Sequence, residues 1–358
     1  MQNSKIAERF LTRKEQWGWL IQDTRHDRLW AVDEASWDRI INKNEDSPLL
    51  SDNPYKHEGS FTIGDVKEFK SLSAPISISW AITGKCNSRC CFCCTSDIQS
   101  ECAKAEADIN TIEQTLKVLL EMKVPRIIIG GGEPLIRHDI SDILELFRRN
   151  SFKPVIATNG IMLHGSLLEQ VAQTCMNIQI SLDTLDPVVY QKLRGVDALS
   201  SVMHNLRDTV QTGSLVRVVT VLNRYNEYEL EKIGAYLDHI GIKQWFIFEM
   251  LRSGRGAEVY DTLHVQDMEH VRRTIQKLSC SCPELSIWYW GNKPQDGCAV
   301  YVMPDGRLGL TDYHRNETHY FSKGLLTSEE FFRQWNCIEY PEKRKMLENF
   351  TSANRMEQ

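Results

Sequence analysis

The 358-residue chain is short of several things, and each shortage removes a class of function. It has no run of about 18 apolar residues, so no membrane-spanning helix is expected. It has no excess of positive charge. The formal net charge is -6, with 42 Lys and Arg against 48 Asp and Glu, so there is no field for nucleic acid or an anionic membrane. The opening MQNSKIAERFLTRKEQ has no apolar stretch after its charges, so no export signal is read and a cytoplasmic location is expected. No internal repeat or low-complexity tract occurs. Cysteine is sparse over most of the chain, where six are scattered, but five crowd into CNSRCCFCC, residues 86–94. That cluster is too tight for a disulfide framework. In a chain without an export signal it points to metal binding or redox chemistry.

Apolar residues at 42% and charged residues at 25% are ordinary for a globular protein. Residues 1–70 differ from the rest. GWLIQDTRHDRLWAV predicts two short strands around a polar turn, TRHD, and EASWDRIINKN predicts a helix with Trp37, Ile40 and Ile41 on one face. SPLLSDNPYKHEGS is linker-like. From about residue 76, strands and helices alternate. ISISWAIT, RIIIG, PVIATNG, NIQISLD, VRVVTVLN and WFIFEM read as six short strands of the kind buried on both faces. Amphipathic helices lie between them, the first marked by Ile112, Leu116, Leu119 and Leu120.

Such alternation implies a parallel sheet with helices outside, as an open doubly wound sheet or as a full or partial barrel. In either, the loops after strand C-termini carry the chemistry. Here they hold CNSRCCFCC, GGGEP, TNG, SLD and LNRYN. Beyond residue 280, LSIWYW and AVYVMPDGRLGLTD read as strands, the second a hairpin turning at Pro304-Asp305-Gly306. SEEFFRQW reads as a short helix and residues 346–358 as a fraying tail.

Cys86, Cys90 and Cys93 stand at C-x3-C-x2-C. Three thiolates are one short of a closed tetrahedral metal site or a fully ligated cubane, so a cluster on them keeps one iron open. Cys91 and Cys94 form a C-x2-C pair, which keeps a structural zinc in play. Glu133 in a glycine turn, or Ser181 and Asp183 capping a helix, would each be ordinary alone. Their shared position at strand ends makes them site candidates.

With Phe92 before its last cysteine, on the loop after a first barrel strand, this spacing resembles the radical S-adenosylmethionine (radical SAM) superfamily. The resemblance covers residues 76 to about 270. It runs through Gly131-Gly132-Glu133-Pro134, Asn159 in ATNG, Ser181 and Asp183 in ISLD, Arg194 in KLRG and Asn223 in VLN. It implies a partial (β/α)6 TIM-like barrel and one 4Fe–4S cluster on Cys86, Cys90 and Cys93. It also implies S-adenosylmethionine on the strand ends, with Glu133 at its amino group and Ser181 and Asp183 reaching ribose and carboxylate. One electron, from a donor such as flavodoxin or ferredoxin, would then split the sulfonium. The resulting 5′-deoxyadenosyl radical would take hydrogen from a substrate.

Residues 9–41 are similar in form to the leader-binding recognition element of peptide-modifying radical enzymes, which binds a disordered leader as an added strand. A cap on the barrel is the other reading. The C-terminal part resembles the SPASM/twitch extension of peptide maturases. Thr311 stands where that family places a cysteine, which implies a degenerate extension without an auxiliary iron–sulfur cluster. Redox-neutral work such as epimerisation then comes forward, with Cys175, Cys280, Cys282, Cys298 and the two spare loop cysteines as candidate hydrogen donors. Crosslinking and fragment excision stay open.

The expected fold class is α/β. Residues 1–70 form a small α+β, winged-helix-like leader-recognition or capping region, and residues 76–270 the barrel. Residues 280–345 form an α/β extension, and 346–358 a disordered tail. The expected substrate is a ribosomally made precursor peptide, with no nucleic-acid or membrane partner. A radical enzyme acting on a small metabolite, or a zinc-stabilised binding protein without catalysis, are the alternatives.

Overall fold

The unbroken apolar runs of the sequence become neighbouring strands of one sheet. The computed structural model describes residues 9–43, 62–63, 72–96, 106–291, 298–312, 317–320 and 327–337. Both the linker at 47–60 and the tail at 346–358 lie outside them.

Three antiparallel strands come first, β1 (Phe10–Glu15), β2 (Gly18–Asp23) and β3 (Arg28–Val32), followed by helix α1 (Glu34–Lys43). A two-residue strand, β4 (Thr62–Ile63), pairs parallel with β3. The turn between β2 and β3 is the expected TRHD. Strand β1 was not anticipated.

The alternation then unfolds in order. It comprises β5 (Ile78–Thr83), α2 (Ile109–Glu121), β6 (Ile127–Gly131), α3 (Ile140–Arg149), β7 (Val155–Thr158), α4 (Gly165–Thr174) and β8 (Asn177–Ser181). It continues with α5 (Pro187–Arg194), α6 (Leu199–Gln211), β9 (Val216–Leu222), α7 (Leu230–His239) and β10 (Gln244–Glu249). After these come α8 (Arg255–Leu263), α9 (Met268–Ser281) and β11 (Ser286–Trp290). The chain closes with β12 (Cys298–Val302), β13 (Leu308–Asp312), β14 (Glu317–Tyr320) and α10 (Ser328–Cys337).

The large sheet has the order β11-β10-β9-β8-β7-β6-β5-β12-β13-β14. Strands β5 to β10 are the parallel strands of the partial TIM-like barrel. Strand β11 adds a further parallel neighbour to β10, with Phe246 opposite Trp288, so the alternation runs to Trp290 and past the expected boundary at 270. Strand β12 joins the far side of β5, also parallel, and β13 and β14 follow antiparallel. The residues after 280 therefore extend both edges of the barrel sheet.

Alternate side chains of the strands point outward under the helices: Ile127 and Ile129, Ile178 and Ile180, Trp245 and Ile247 are all fully buried. They belong to one core that reaches from Leu20 and Leu29 to Phe331 and Trp335, so both ends of the chain pack on the barrel. A smaller core of Phe10, Ile21, Trp30, Val32, Trp37 and Ile40 sits between the N-terminal strands and α1. Among the described residues no helix is long and apolar enough to cross a membrane.

Besides the apolar contact through Leu20 and Leu29, a buried charge cluster joins the N-terminal sheet to the barrel base. Asp27 ends the β2–β3 turn with φ at +48° and a fully buried carboxylate. It accepts from Arg126 Nε at 2.7 Å and Nη2 at 2.9 Å, from Gln22 at 3.1 Å and from Asn177 at 3.2 Å. Arg217 lies 2.9 Å away and donates to Gln244 at 2.8 Å. Arg126, Asn177, Arg217 and Gln244 stand at or beside the N-terminal ends of β6, β8, β9 and β10. The turn thus closes the barrel at the end opposite its cysteine loop. Burial opposes ionisation of Asp27, but Arg126 and Arg217 together outweigh it and hold the carboxyl below the usual range.

Candidate active site at the strand C-termini

The cysteine loop leaves β5 and is held by hydrogen bonds from three directions. On one side Gly132 N–H donates to Thr83 and Glu133 N–H to Lys85, each at 2.8 Å. Any Cβ on Gly132 would overlap the Lys85 carbonyl. On a second side the end of α5 meets the loop, where Arg89 N–H donates to Arg194 and Cys91 N–H to Leu193, both at 2.9 Å. Gly195 follows with φ at +68°, and a Cβ there would come within 2.8 Å of the Arg89 carbonyl. On the third side lies the loop after β10. Ser253 Oγ donates to the Cys94 carbonyl at 3.0 Å, Arg255 Nε to the Cys90 carbonyl at 2.9 Å, and Arg255 N–H to Ser96 Oγ at 2.8 Å. This third loop, RSGRG, was missed in the sequence. The rule that located the other five strand ends would have found it.

Anchored in this way, Cys86, Cys90 and Cys93 face a common space with Glu133. Burial pushes the Cys86 thiol up to about 11 against a hydrogen bond from Ser88 N–H, and Glu133, Cys90 and Cys93 add to the rise. Burial also raises Cys90, against the nearby Arg194 guanidinium. Burial that raises Cys86, Cys90 and Glu133 alike would be offset by positive charge placed among them. An iron–sulfur cluster and an ammonium group supply it, so the donor set fits both. Cys94 is driven to about 12 by burial and the charge of Cys93, and Cys91 packs beside Leu193 and Phe92.

Glu133 is 1% exposed and opens a short 3₁₀ turn, Pro134–Ile136. Its carboxylate accepts from Leu135 N–H at 3.1 Å, Thr158 Oγ1 at 2.7 Å and Asn159 N–H at 2.7 Å. Burial still lifts it to about 7, because those donors only partly compensate. The Asn159 side chain reaches back to Asn87 at 2.7 Å and Ser88 at 3.2 Å, tying the third strand end to the cysteine loop. Gly131 takes φ +122° so that the chain can pass Thr83.

Asp183, fully buried, accepts from Val221 N–H at 2.8 Å and Arg194 Nε at 2.6 Å. Arg194 also reaches Cys90 Sγ at 3.7 Å and lies 5.3 Å from the Phe92 ring centroid. Burial works against its charge, and Asp183 more than restores it. Ser181 ends β8 on the inner face. Asn223 turns inward on its own loop, accepting from Tyr225 N–H at 2.9 Å and donating to Val221 at 2.9 Å. A cavity of about 150 Å3 beneath the cysteine loop is lined by Ser79, Ala81, Thr95, Gly130, Ala157 and Tyr301. Tyr301, on β12, was not anticipated at the site.

The scattered cysteines lie apart from the cysteine loop. Cys175 follows α4 and lies in the main core before β8, at the base end. Burial alone pushes its thiol up. Cys280 is exposed on α9 and Cys282 is buried at its C-terminus, ahead of β11 and outside the barrel wall. None of these three faces the cysteine loop, because a helix that returns to start a new parallel strand ends at the base. Cys298 begins β12, and its side chain lies outside the described residues. Only Cys91 and Cys94 among the expected donors share the loop.

Residues 80–237 match the model of the Radical SAM superfamily. The chain is 27% identical over 202 residues to mycofactocin maturase MftC of Mycobacterium ulcerans, covering 56% of this chain and 54% of that protein. It thus spans about half the length of the curated maturases it matches. It is 27% identical over 246 residues to GTP 3′,8-cyclase of Haemophilus influenzae, covering 66% of this chain and 70% of that protein. Its fold is shared with Streptococcus suis SuiB at a TM-score of 0.64 and 16% identity, covering 85% of this chain and 82% of that one. SuiB bound to its precursor peptide SuiA aligns equally well, at 0.64.

Proposed function

We propose that this chain, which carries a radical SAM domain over residues 80–237, cleaves S-adenosylmethionine at a 4Fe–4S cluster and takes hydrogen from a ribosomally made peptide. The observation that carries the reading is the grouping of Cys86, Cys90 and Cys93 with buried Glu133 on neighbouring strand ends, close enough for Glu133, Cys90 and Cys93 all to act on the Cys86 thiol. When bound, the cluster supplies the electron that splits the sulfonium to a 5′-deoxyadenosyl radical. The protein's own part is positional. Glu133, held by Thr158 and Asn159, receives the methionine amino group. Arg194, fixed by Asp183, receives the carboxylate, and the three anchoring loops keep water out from above.

A peptide substrate is supported by the match to mycofactocin maturase MftC and by a fold shared with precursor-peptide-bound SuiB over 85% of this chain. The N-terminal sheet has β1 as an edge strand among the described residues, which is the geometry an added leader strand needs. A single cluster is favoured, because Cys280 and Cys282 sit on α9 away from the site. An electron donor such as flavodoxin or ferredoxin completes the scheme. The stretch shared with GTP 3′,8-cyclase favours a second reading, a small-metabolite substrate.

The test is anaerobic reconstitution of the full chain, followed by iron analysis and incubation with S-adenosylmethionine and dithionite. About four irons per chain and release of 5′-deoxyadenosine are expected. A mass change in a short peptide encoded beside this chain would establish the substrate class. Zinc without iron, or consumption of GTP instead of peptide, would overturn the reading.

A further inference from the structure

Strands β10 and β11 send alternate residues to opposite faces. Trp245 and Ile247 go under the helices at 0% exposure, and Ile287 and Tyr289 join the same core. Phe246, Phe248, Trp288 and Trp290 go to the inner face of the sheet, in register as Phe246 opposite Trp288 and Phe248 opposite Trp290. Their rings form a continuous ladder. Centroids are 5.8 Å apart for Phe246–Trp288, 5.9 Å for Phe248–Trp290 with planes 28° apart, and 6.2 Å for Phe246–Phe248. Phe246, Phe248 and Trp290 stay half-buried inside the barrel.

The two rungs of the ladder differ. The lower is covered by cations: Arg217, fixed by Asp27, lies 4.1 Å from the Phe246 centroid, and Arg28 lies 5.6 Å from that of Trp288. The upper rung, Phe248 and Trp290, reaches the strand ends beside the candidate active site. Phe248 pairs with Val221, whose N–H donates to Asp183. Across the barrel, Ala81, Gly130 and Ala157 leave a cavity whose lining has one other aromatic on the β12 side, Tyr301. A half-buried ring surface continuous with a reaction site is a recognition surface, because apolar area left open inside a fold is otherwise unfavourable.

Resting on the peptide reading above, we propose that this ladder seats an aromatic side chain of the substrate peptide and so selects which residue meets the reaction site. Offset ring packing against Phe248 and Trp290 favours a Trp or Tyr side chain over an aliphatic one. Arg217 and Arg28 below repel a lysine or arginine side chain.

The experiment uses the reconstituted full chain, kept anaerobic. Saturation-transfer NMR would measure binding of N-acetyl-tryptophanamide, N-acetyl-leucinamide and N-acetyl-lysinamide. The tryptophan probe is expected to bind about five- to tenfold more tightly than the other two, with a loss of similar size in Trp290→Ala that Trp290→Phe largely restores. Phe248→Ala is the second variant should Trp290→Ala not fold. The proposal is overturned if the three probes bind alike, if none binds, if losing either upper ring leaves the tryptophan probe unaffected, or if GTP displaces it more effectively than a tryptophan-containing peptide. Release of 5′-deoxyadenosine from the same sample separates the two readings. Its absence would sink the radical chemistry while leaving the binding result to stand or fall on its own.

Discussion

Replacing Asp27 with Asn should loosen the joint between the N-terminal sheet and the barrel. Asn keeps the side-chain shape and tolerates φ near +48°, so the change isolates charge from backbone strain. The wild-type carboxylate answers two guanidinium groups and two amides with no solvent at the side chain. Without it Arg126 and Arg217 stay buried and facing each other, and stranding such partners costs about 3–5 kcal/mol. That is a large share of a total of roughly 5–15 kcal/mol. Asp27→Ala should cost about 1 kcal/mol more, for an ordinary residue held in the left-handed region.

Urea unfolding followed by tryptophan fluorescence reads the loss directly, and limited proteolysis shows whether residues 1–70 come away first. Adding Arg126→Met and Arg217→Met to Asp27→Asn should recover more than half of the loss, because the penalty lies in the stranded charges. The pH sign is fixed as well. The folded carboxyl is held below its unfolded value, so its stabilisation is complete above about pH 4 and disappears only as pH falls through the depressed folded value. A loss under about 1 kcal/mol in Asp27→Asn, with unchanged proteolysis, would refute the joint as described.

Other outcomes follow from the upper end. Gly132→Ala should lower iron incorporation sharply, since its Cβ meets the Lys85 carbonyl. Gly130→Ala, whose nearest new neighbour is Ala157 Cβ at 3.8 Å, should not, and equal iron in both would refute the backbone clamp. Glu133 carries the opposite pH sign from Asp27. Its folded value is raised to about 7 by burial, so the unloaded chain should lose roughly 3 kcal/mol as pH rises from about 4.5 to 7, then level off. Guanidinium melts of wild type against Thr158→Val and Glu133→Ala across that window check it, and a flat wild-type curve would count against it. A leader bound at the N-terminal sheet starts at the far end of strands four to seven residues long. At about 3.3 Å per residue, at least about five extended residues must separate leader from modified residue. Shortening that spacer stepwise should stop modification without weakening leader binding.

Much of this was legible in the sequence, for a local reason. Parallel strands buried on both faces read as apolar runs such as RIIIG and NIQIS, and the polar or glycine-rich residues after them mark one rim. What escaped has non-local causes. Strand β1, FLTRKE, carries Arg13 and Glu15, which look exposed. Both are buried, paired at 2.7 Å, with Arg13 also donating to the Ala74 and Pro75 carbonyls at 2.8 Å. TRHD looked like a surface turn because the partners of Asp27 lie 99 and 150 residues away. The placement of Cys175, Cys280 and Cys282 away from the cysteine loop was not legible, because spacing says nothing about which end of a strand a cysteine occupies. LSIWYW looked like the start of something new because its pairing with WFIFEM is set by two intervening helices.

The two ends of the barrel are fixed by different physics, and the difference bears on where specificity can reside. At the cysteine end the anchors are mostly hydrogen bonds to or from the loop backbone, some from side chains such as Ser253 and Arg255, and close backbone passes by Gly132, Gly195 and Gly254, which leave the cysteine side chains for ligation. At the base the anchors are charged side chains, and every misdocked arrangement would strand a guanidinium, so the N-terminal sheet has one seat. Neither end tolerates variation without loss of the cofactor site or of the joint. Between them the inner wall meets no such demand: Phe248 and Trp290 could change size without disturbing the loop above or Asp27 below. Substitutions at the ends therefore decide whether the chain works, whereas substitutions on that wall decide what it works on.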